Sequence, residues 1–530
     1  MKKRNLLKLA SVIVIGLSVI ITSCKKNLTP IGELTTASVY KDFSNYPQVL
    51  AKLYTAYAIS GQAGPAGNAD IAGIDEGFSN YLREYFNTEE LTTDEAQITW
   101  NDGDVHDLHD MIWTSSNTFS RAMYDRIYYE ISLDNEFLRN TTPAKLAANG
   151  ITGSNATLVT QYRAEARFLR ALSYWHAIDL YGSVPFVTEA QSVGVFFPVQ
   201  QSRAYIFNFI ESELKAIGSD LGAPRFSYGH ADQAAANTLL VNLYMNAQVY
   251  TGTARYTDAI TYANKVIASG YTLEPKFQNL FTADNNLSKE IIFPIESDGL
   301  HTQGYGGMTY LIHAENGGNM SPANFGIAGQ WAGLRVTEQY VSLFSDPSGA
   351  TDTRAMFFTN GQTLGIADEY TFNDGYAVTK FTNMTSKGVA GSDPTGTFVD
   401  TDFPMFRLAD VYLLYAEAVL RGGTGGDLGT ALNYVNLVRA RAYQGASGNI
   451  TAAQLTLPFM LAERGRELLW EGHRRTDLIR FGQFTGSSYP WQWKGGVLNG
   501  TSVPDYRQLM PIPSTEMINN PTLKQNPGYN

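Results

Sequence analysis

Apolar residues recur every three to four positions along most of this chain. That spacing predicts helices over roughly 37–59, 115–140, 158–181, 202–218, 231–250, 255–269, 405–421, 427–443 and 452–471. The pattern changes between about 282 and 404, where Gly, Asn, Thr and Asp dominate in stretches such as Gly304-Tyr305-Gly306-Gly307 and residues 388–396. Helical spacing there is confined mainly to 334–345, and Glu290–Glu296 and Tyr376–Phe381 read as short strands. Ordinary connections are only a few residues long, so a loop-rich insertion of this size inside a helical frame points to function. The expected fold is mainly α, with helices as the scaffold, a few short strands, and loops that bind.

Two helix pairs look alike. Leu240, Tyr244 and Ala247 precede Tyr256, Ala259, Ala263 and Val266 in one, and Tyr412, Tyr415 and Ala418 precede Ala431, Val435 and Val438 in the other. Small residues at helix contacts with aromatics between them resemble degenerate tetratricopeptide hairpins. Generic antiparallel packing uses the same small residues, but the likeness of the two pairs favours the repeat.

The N-terminus has a different pattern again. Met1-Lys2-Lys3-Arg4 and Lys8 lead into an apolar run over residues 9–21, the length of a signal-peptide core and short for a membrane span. The run ends in Ile21-Thr22-Ser23-Cys24, which resembles the lipobox of bacterial lipoproteins. That resemblance implies cleavage before Cys24 and lipidation of its thiol and new amine. The expected organisation is a signal peptide over 1–23, a lipidated tether over 24–36, and one domain over 37–530. No other segment approaches the roughly 18 continuous apolar residues of a span.

Composition narrows the chemistry. Cys24 is the only cysteine in 530 residues, which excludes an internal disulfide framework and any zinc site built on cysteines. A net charge of −11 with no long basic run disfavours nucleic acid. His106-Asp107-Leu108-His109, with Asp104 and Asp110 nearby, places two histidines at i and i+3. A zinc-protease helix needs i and i+4 with a glutamate base, so no metal is assigned. Asp102-Gly103-Asp104 lacks the glutamate that closes a calcium loop, and Gly422-Gly423-Thr424-Gly425-Gly426 lacks the lysine of a phosphate loop and reads as a hairpin turn. No Gly-x-Ser-x-Gly elbow is present. Carboxylate neighbours such as Glu89-Glu90 and Asp94-Glu95 do not by themselves make a glycosidase. No enzyme activity and no cofactor is expected.

The strongest signals lie near the C-terminus. Glu463-Arg464-Gly465-Arg466-Glu467-Leu468-Leu469-Trp470-Glu471-Gly472-His473-Arg474-Arg475-Thr476-Asp477-Leu478 closely resembles a signature of the SusD/RagB family of outer-membrane nutrient-binding lipoproteins. Met510-Pro511-Ile512-Pro513 and Gln525-Asn526-Pro527-Gly528-Tyr529 resemble that family's closing motif, and the prolines there pin an extended tail on the helical body. Further family-like segments are 164–181 followed by Gly182-Ser183-Val184-Pro185, then 259–271, 406–418 and 436–442. With the lipobox they span the chain in the family's order. Within the signature, Arg464, Glu467, Glu471, Arg474 and Asp477 recur at i+3 or i+4, the spacing of ion pairs along a helix, and read as structural.

The resemblance implies a non-catalytic lid on a TonB-dependent transporter of the SusC type, held in the outer membrane by lipid at the cell surface. Such a protein captures oligosaccharides or, in the RagB branch, peptides; a lipid-anchored glycosidase is the remoter alternative. Lys25-Lys26-Asn27 follow the cysteine where surface-displayed relatives often carry acids, so display rests on the family alone. Glycan binding in the family stacks aromatic faces on pyranose rings and bonds polar groups to hydroxyls. Two loop regions suit it: Trp100-Asn101-Asp102-Gly103-Asp104, soon after Thr93-Asp94-Glu95, and the stretch from Tyr305 to Trp331. Trp100, Trp331 and Tyr305 are the stacking candidates, with Asn101 and Asp104 as polar partners. Trp113 reads as core, whereas Trp491 and Trp493 read as an exposed platform or a transporter-facing surface.

Overall fold

A computed structural model describes residues 35–529, apart from 66, 68 and 195. The signal segment and Cys24 lie outside the described residues.

Several helices start where short polar side chains satisfy their free N–H groups. Asn117 accepts from Ser120 N–H at the head of Thr118–Asn140, Ser202 caps Arg203–Ile217, Asp232 caps Gln233–Met245, and Asp427 caps Leu428–Ala442. Gly153–Tyr181 is the longest helix and is buried from Ala164 onward save for Arg167. It stops at Gly182, which has φ +72°, and a Cβ there would stand 2.9 Å from a Leu509 methyl. The C-terminal tail docks on this same end. Met510 N–H donates to Leu180 O at 2.7 Å, and Asn526 Nδ2 donates to Tyr181 O at 2.9 Å.

Both hairpins read from sequence are present. Gln233–Met245 packs on Tyr256–Ile267, Leu408–Leu420 packs on Leu428–Ala442, and Tyr256–Ile267 also packs on Leu408–Leu420, so the hairpins stack. Ala259, Ala263, Ala418 and Ala431 are all buried at these contacts, and Tyr412 stacks on Tyr434 at 4.5 Å and 5°. The fold is mainly α, with short two-stranded ribbons.

The ribbons organise the insertion. Ile291–Ile295 pairs antiparallel with Phe403–Arg407, from Ile291 opposite Arg407 to Ile295 opposite Phe403, and ties its two ends together. Phe357–Phe358 pairs with Ala377–Val378 inside it, and Leu334–Arg335 pairs with Gln97–Ile98 outside it. Several sequence expectations need correction. The stretch read as helical over 334–345 is a two-residue strand followed by one turn, Glu338–Val341. The helix read from 405 starts at Leu408, because Phe403–Arg407 is a strand. Tyr81–Glu89, Gly307–Ala314 and Arg474–Arg480 are helices that the periodicity missed. Every residue of the first two is buried: Gly307–Ala314 is apolar almost throughout and shows no period, whereas Tyr81–Glu89 keeps helical spacing in Tyr81, Leu82, Tyr85 and Phe86 but buries its polar face of Arg83, Glu84, Asn87 and Thr88 as well.

The signature charges also differ from the expected i+4 ladder. The helix ends at Leu468, Trp470 takes φ +60°, and a second helix begins at Arg474. The charges instead cross-link distant elements. Arg464 reaches Asp410 at 2.7 Å and Asp477 at 2.6 Å. Arg407 reaches Glu290 at 2.9 Å, Glu467 at 2.6 Å and Glu471 at 2.5 Å. Arg474 grips both carboxylate oxygens of Asp94 at 2.8 Å, which puts Thr93-Asp94-Glu95 in this buried network. Burial alone would raise the Glu467 carboxyl, but Arg441, Arg407 and Arg354 outweigh it and hold it at about 2.

Candidate functional site

The ribbon between Gln97–Ile98 and Leu334–Arg335 sets Gln97 opposite Arg335 and Ile98 opposite Leu334. Thr99 N–H extends it to Gly333 O at 2.9 Å, which delivers residue 100 beside residue 331. Trp100 Nε1 then donates to Trp331 O at 2.9 Å. The Trp100 indole lies directly on Gly333, where a Cβ would come within 2.7 Å of Cζ2, so only glycine admits this approach.

Trp331 is held from behind. Its N–H donates to His313 O at 2.9 Å, and its ring stacks on the His313 ring at 4.6 Å and 25°. His313, on the buried helix Gly307–Ala314, sits with its ring nitrogens 2.8 Å from the carbonyls of Gly329 and Thr397, which fixes its plane. Burial pushes its imidazole below the usual value. Tyr305 stands just before that helix, 36% exposed, and Phe398 backs it at 5.6 Å.

Successive rings are turned rather than coplanar. Trp100 and Trp331 are 6.3 Å apart at 51°, and Trp331 and Tyr305 are 6.5 Å apart at 48°. Arg83, from the helix Tyr81–Glu89, lays its guanidinium 4.3 Å over Tyr310 and 5.8 Å from Trp100. Together Arg83, Trp100, Asn101, Asp102, Tyr305 and Trp331 line an open depression of about 630 Å³. Its chemistry is three aromatic faces edged by one cation, one amide and one carboxylate, which suits a ligand apolar on its faces and hydroxylated at its rim. Glycoside hydrolysis flanks the scissile bond with two carboxylates, and this lining supplies Asp102 alone.

Four of the residues singled out in sequence (Trp100, Asn101, Tyr305 and Trp331) meet in this depression. Asp104 does not join them. Its Oδ2 accepts from Thr118 N–H at 2.8 Å and serves the start of the helix Thr118–Asn140. Asp102 takes its place, and Arg83, beside Glu84 in the run Tyr81-Leu82-Arg83-Glu84-Tyr85-Phe86, carried no sequence signal for the site. Trp491 and Trp493 form no exposed platform. Trp491 is fully buried with the Lys494 ammonium 4.0 Å over its ring, and half-buried Trp493 donates to Ile366 O at 2.9 Å. Trp113 is core, donating to Tyr529 Oη at 2.6 Å.

A model of the SusD family matches residues 223–529. The starch-binding protein SusD of Bacteroides thetaiotaomicron is 35% identical over the full length of both chains. This chain belongs to the SusD family. Another relative, SusD-like protein P2 of Formosa agariphila, is 24% identical over 78% of this chain and 81% of its own. A solved SusD superfamily protein from B. thetaiotaomicron superposes with a TM-score of 0.70, covering 92% of this chain and 99% of its own at 21% identity. Surface glycan-binding protein A from the same organism, solved in complex with laminarihexaose, gives 0.68 over 91% and 99% at 19% identity. These solved structures thus share the overall fold of this chain.

Proposed function

We propose that this SusD-family chain is a non-catalytic glycan-binding lipoprotein that captures starch-type α-glucan oligosaccharides and passes them to a SusC-like TonB-dependent transporter. The observation that carries the reading is the turned row of Trp100, Trp331 and Tyr305. Coplanar rings fit an extended β-linked chain, whereas rings turned by 51° and 48° from one another suit a chain whose sugar faces turn from one residue to the next, as an α-1,4-linked chain's do. Pyranose C–H faces lie on the rings, and Arg83, Asn101 and Asp102 reach the hydroxyl rim. The 35% identical starch-binding relative supports the same ligand class. Affinity electrophoresis tests it: migration should be retarded in gels containing amylopectin and unchanged in gels containing laminarin or hydroxyethylcellulose. Retardation by a β-glucan alone would overturn the α-glucan assignment.

Attachment to the outer membrane in this reading rests on Cys24, since among the described residues no helix is long and apolar enough to cross a membrane. Two or more acyl chains hold far better than one, at about 0.8 kcal/mol per buried methylene. Fractionation of native cells reads anchor and partner together. The wild-type chain should label with a palmitate analogue and bring a large β-barrel protein through mild detergent, and Cys24→Ala should be found in the soluble fraction. An unlabelled wild-type chain, or one extracted alone at every detergent strength, would contradict the assignment.

A further inference from the structure

The geometry points to a divalent-cation site of the zinc class formed by His106, His109 and Glu369, which clamps the loop carrying Trp100, Asn101 and Asp102 to the insertion. The sequence places two histidines at i and i+3, without the i, i+4 spacing and glutamate base of a zinc-protease helix. The fold supplies the third ligand from 260 residues away.

One donor atom from each of these residues lies within 4.8 Å of the other two. His109 Nε2 is 2.9 Å from His106 Nδ1, which is 3.7 Å from Glu369 Oε1. Ligands held about 2.0–2.1 Å from a tetrahedral zinc stand roughly 3.3 Å apart, so these edges bracket what such an ion requires. The surroundings match as well. His109 is 1% exposed, and its outer nitrogen Nδ1 lies 3.2 Å from Asp110 Oδ1, near the place a carboxylate takes behind a ligating imidazole, while Nε2 points at His106. Glu369 Oε2 is buried without a hydrogen-bond partner, available as a second carboxylate contact. Two imidazoles and one carboxylate leave a fourth tetrahedral position for water and select zinc over oxygen-seeking magnesium.

Both halves of the clamp are already anchored on the ribbon beneath the aromatic row. His106–His109 follows Trp100 in the chain. The Glu369 loop is pinned by buried Arg335, whose guanidinium donates to the carbonyls of Glu369 at 2.7 Å, Thr371 at 2.7 Å and Asp374 at 2.6 Å. Arg335 itself pairs with Gln97 across the ribbon. The donors are therefore preorganised, and an ion would bridge two loops with little rearrangement.

The test uses tag-free protein stripped with a chelator, then titrated calorimetrically with zinc chloride and melted with and without it. One equivalent should bind and raise the melting temperature, magnesium should do neither, and Glu369→Gln or His106→Ala should weaken zinc binding at least tenfold while staying folded. His109→Ala is a harsher variant, because its site is fully buried. Folded wild-type protein that binds no stoichiometric zinc would show a hydrogen-bonded histidine pair only. Undiminished binding in both Glu369→Gln and His106→Ala would place any bound zinc elsewhere, and either result overturns the assignment. No step of the test requires a glycan, so its outcome is separate from that of the proposed function.

Discussion

Trp331→Ala is expected to weaken binding of an α-glucan oligosaccharide by about 2–4 kcal/mol, roughly 30- to 1,000-fold, while leaving the fold intact. Trp331 is the middle ring of the row, so its loss separates Trp100 from Tyr305 and removes the face that both adjoin. The stability cost should stay below the roughly 3–5 kcal/mol of truncating a buried tryptophan, because this ring is only half-buried. The local frame also survives. Trp100 Nε1 donates to the main-chain carbonyl of residue 331, and residue 331 donates its N–H to His313 O, so neither bond needs the indole. Trp100→Ala is the less clean probe, since it deletes that hydrogen bond and opens a gap over Gly333. Calorimetry with maltoheptaose, paired with thermal melting, checks both numbers. Retained affinity, or a sharp loss of melting temperature in Trp331→Ala, would show that this ring is packing.

Arg407→Ala should destabilise the fold by about 3–5 kcal/mol, the cost of removing one member of a buried, hydrogen-bonded ion cluster. Arg407 is 1% exposed and joins three otherwise distant carboxylates, Glu290, Glu467 and Glu471. Its loss leaves three buried anions with only Arg441, Arg354 and Lys380 for compensation. Arg407 also ends the strand that closes the insertion, so the loss falls at the junction of scaffold and loops. Acid should act on the same cluster. Glu467 is held at about 2, below its unfolded value of 4.5. The unfolded chain therefore binds the proton first, and the stability this group contributes is present above pH 4.5 and lost as pH falls toward 2. Denaturant melts of wild type and Arg407→Ala at neutral pH, and of wild type down a pH series, measure both effects. A variant within about 1 kcal/mol of wild type would contradict the role given to the cluster.

The scaffold was legible in the sequence wherever a helix keeps one wet face. Ala259, Ala263 and Ala431 mark hairpin contacts on helices that keep polar residues on the outer face, whereas Ala418, on the almost fully buried Leu408–Leu420, was read from its spacing with Tyr412 and Tyr415. Tyr81–Glu89 was missed although Tyr81, Leu82, Tyr85 and Phe86 keep helical spacing, because the segment is a short nine residues, and with it went Arg83, a cation lining the depression. The aromatic candidates could be named because bulky rings in Gly- and Asn-rich loops have few local partners. Their meeting could not be read, since it depends on a two-residue ribbon between Gln97–Ile98 and Leu334–Arg335, too short to leave an alternating pattern. The same limit applies to Asp104 and Asp102, which lie two positions apart in one loop and differ only in which way the chain turns. Charge spacing misled in the signature, where i+4 intervals serve contacts across the molecule rather than along a helix.

The most direct measurement is a crystal structure of the protein with maltoheptaose. Successive glucose rings should lie across Trp100, Trp331 and Tyr305, with hydroxyls within hydrogen-bond reach of Arg83 and Asn101 and the chain curved along the row. Glucan seated elsewhere with these rings bare, or no ordered glucan at saturating concentration, would contradict the binding site and the function drawn from it.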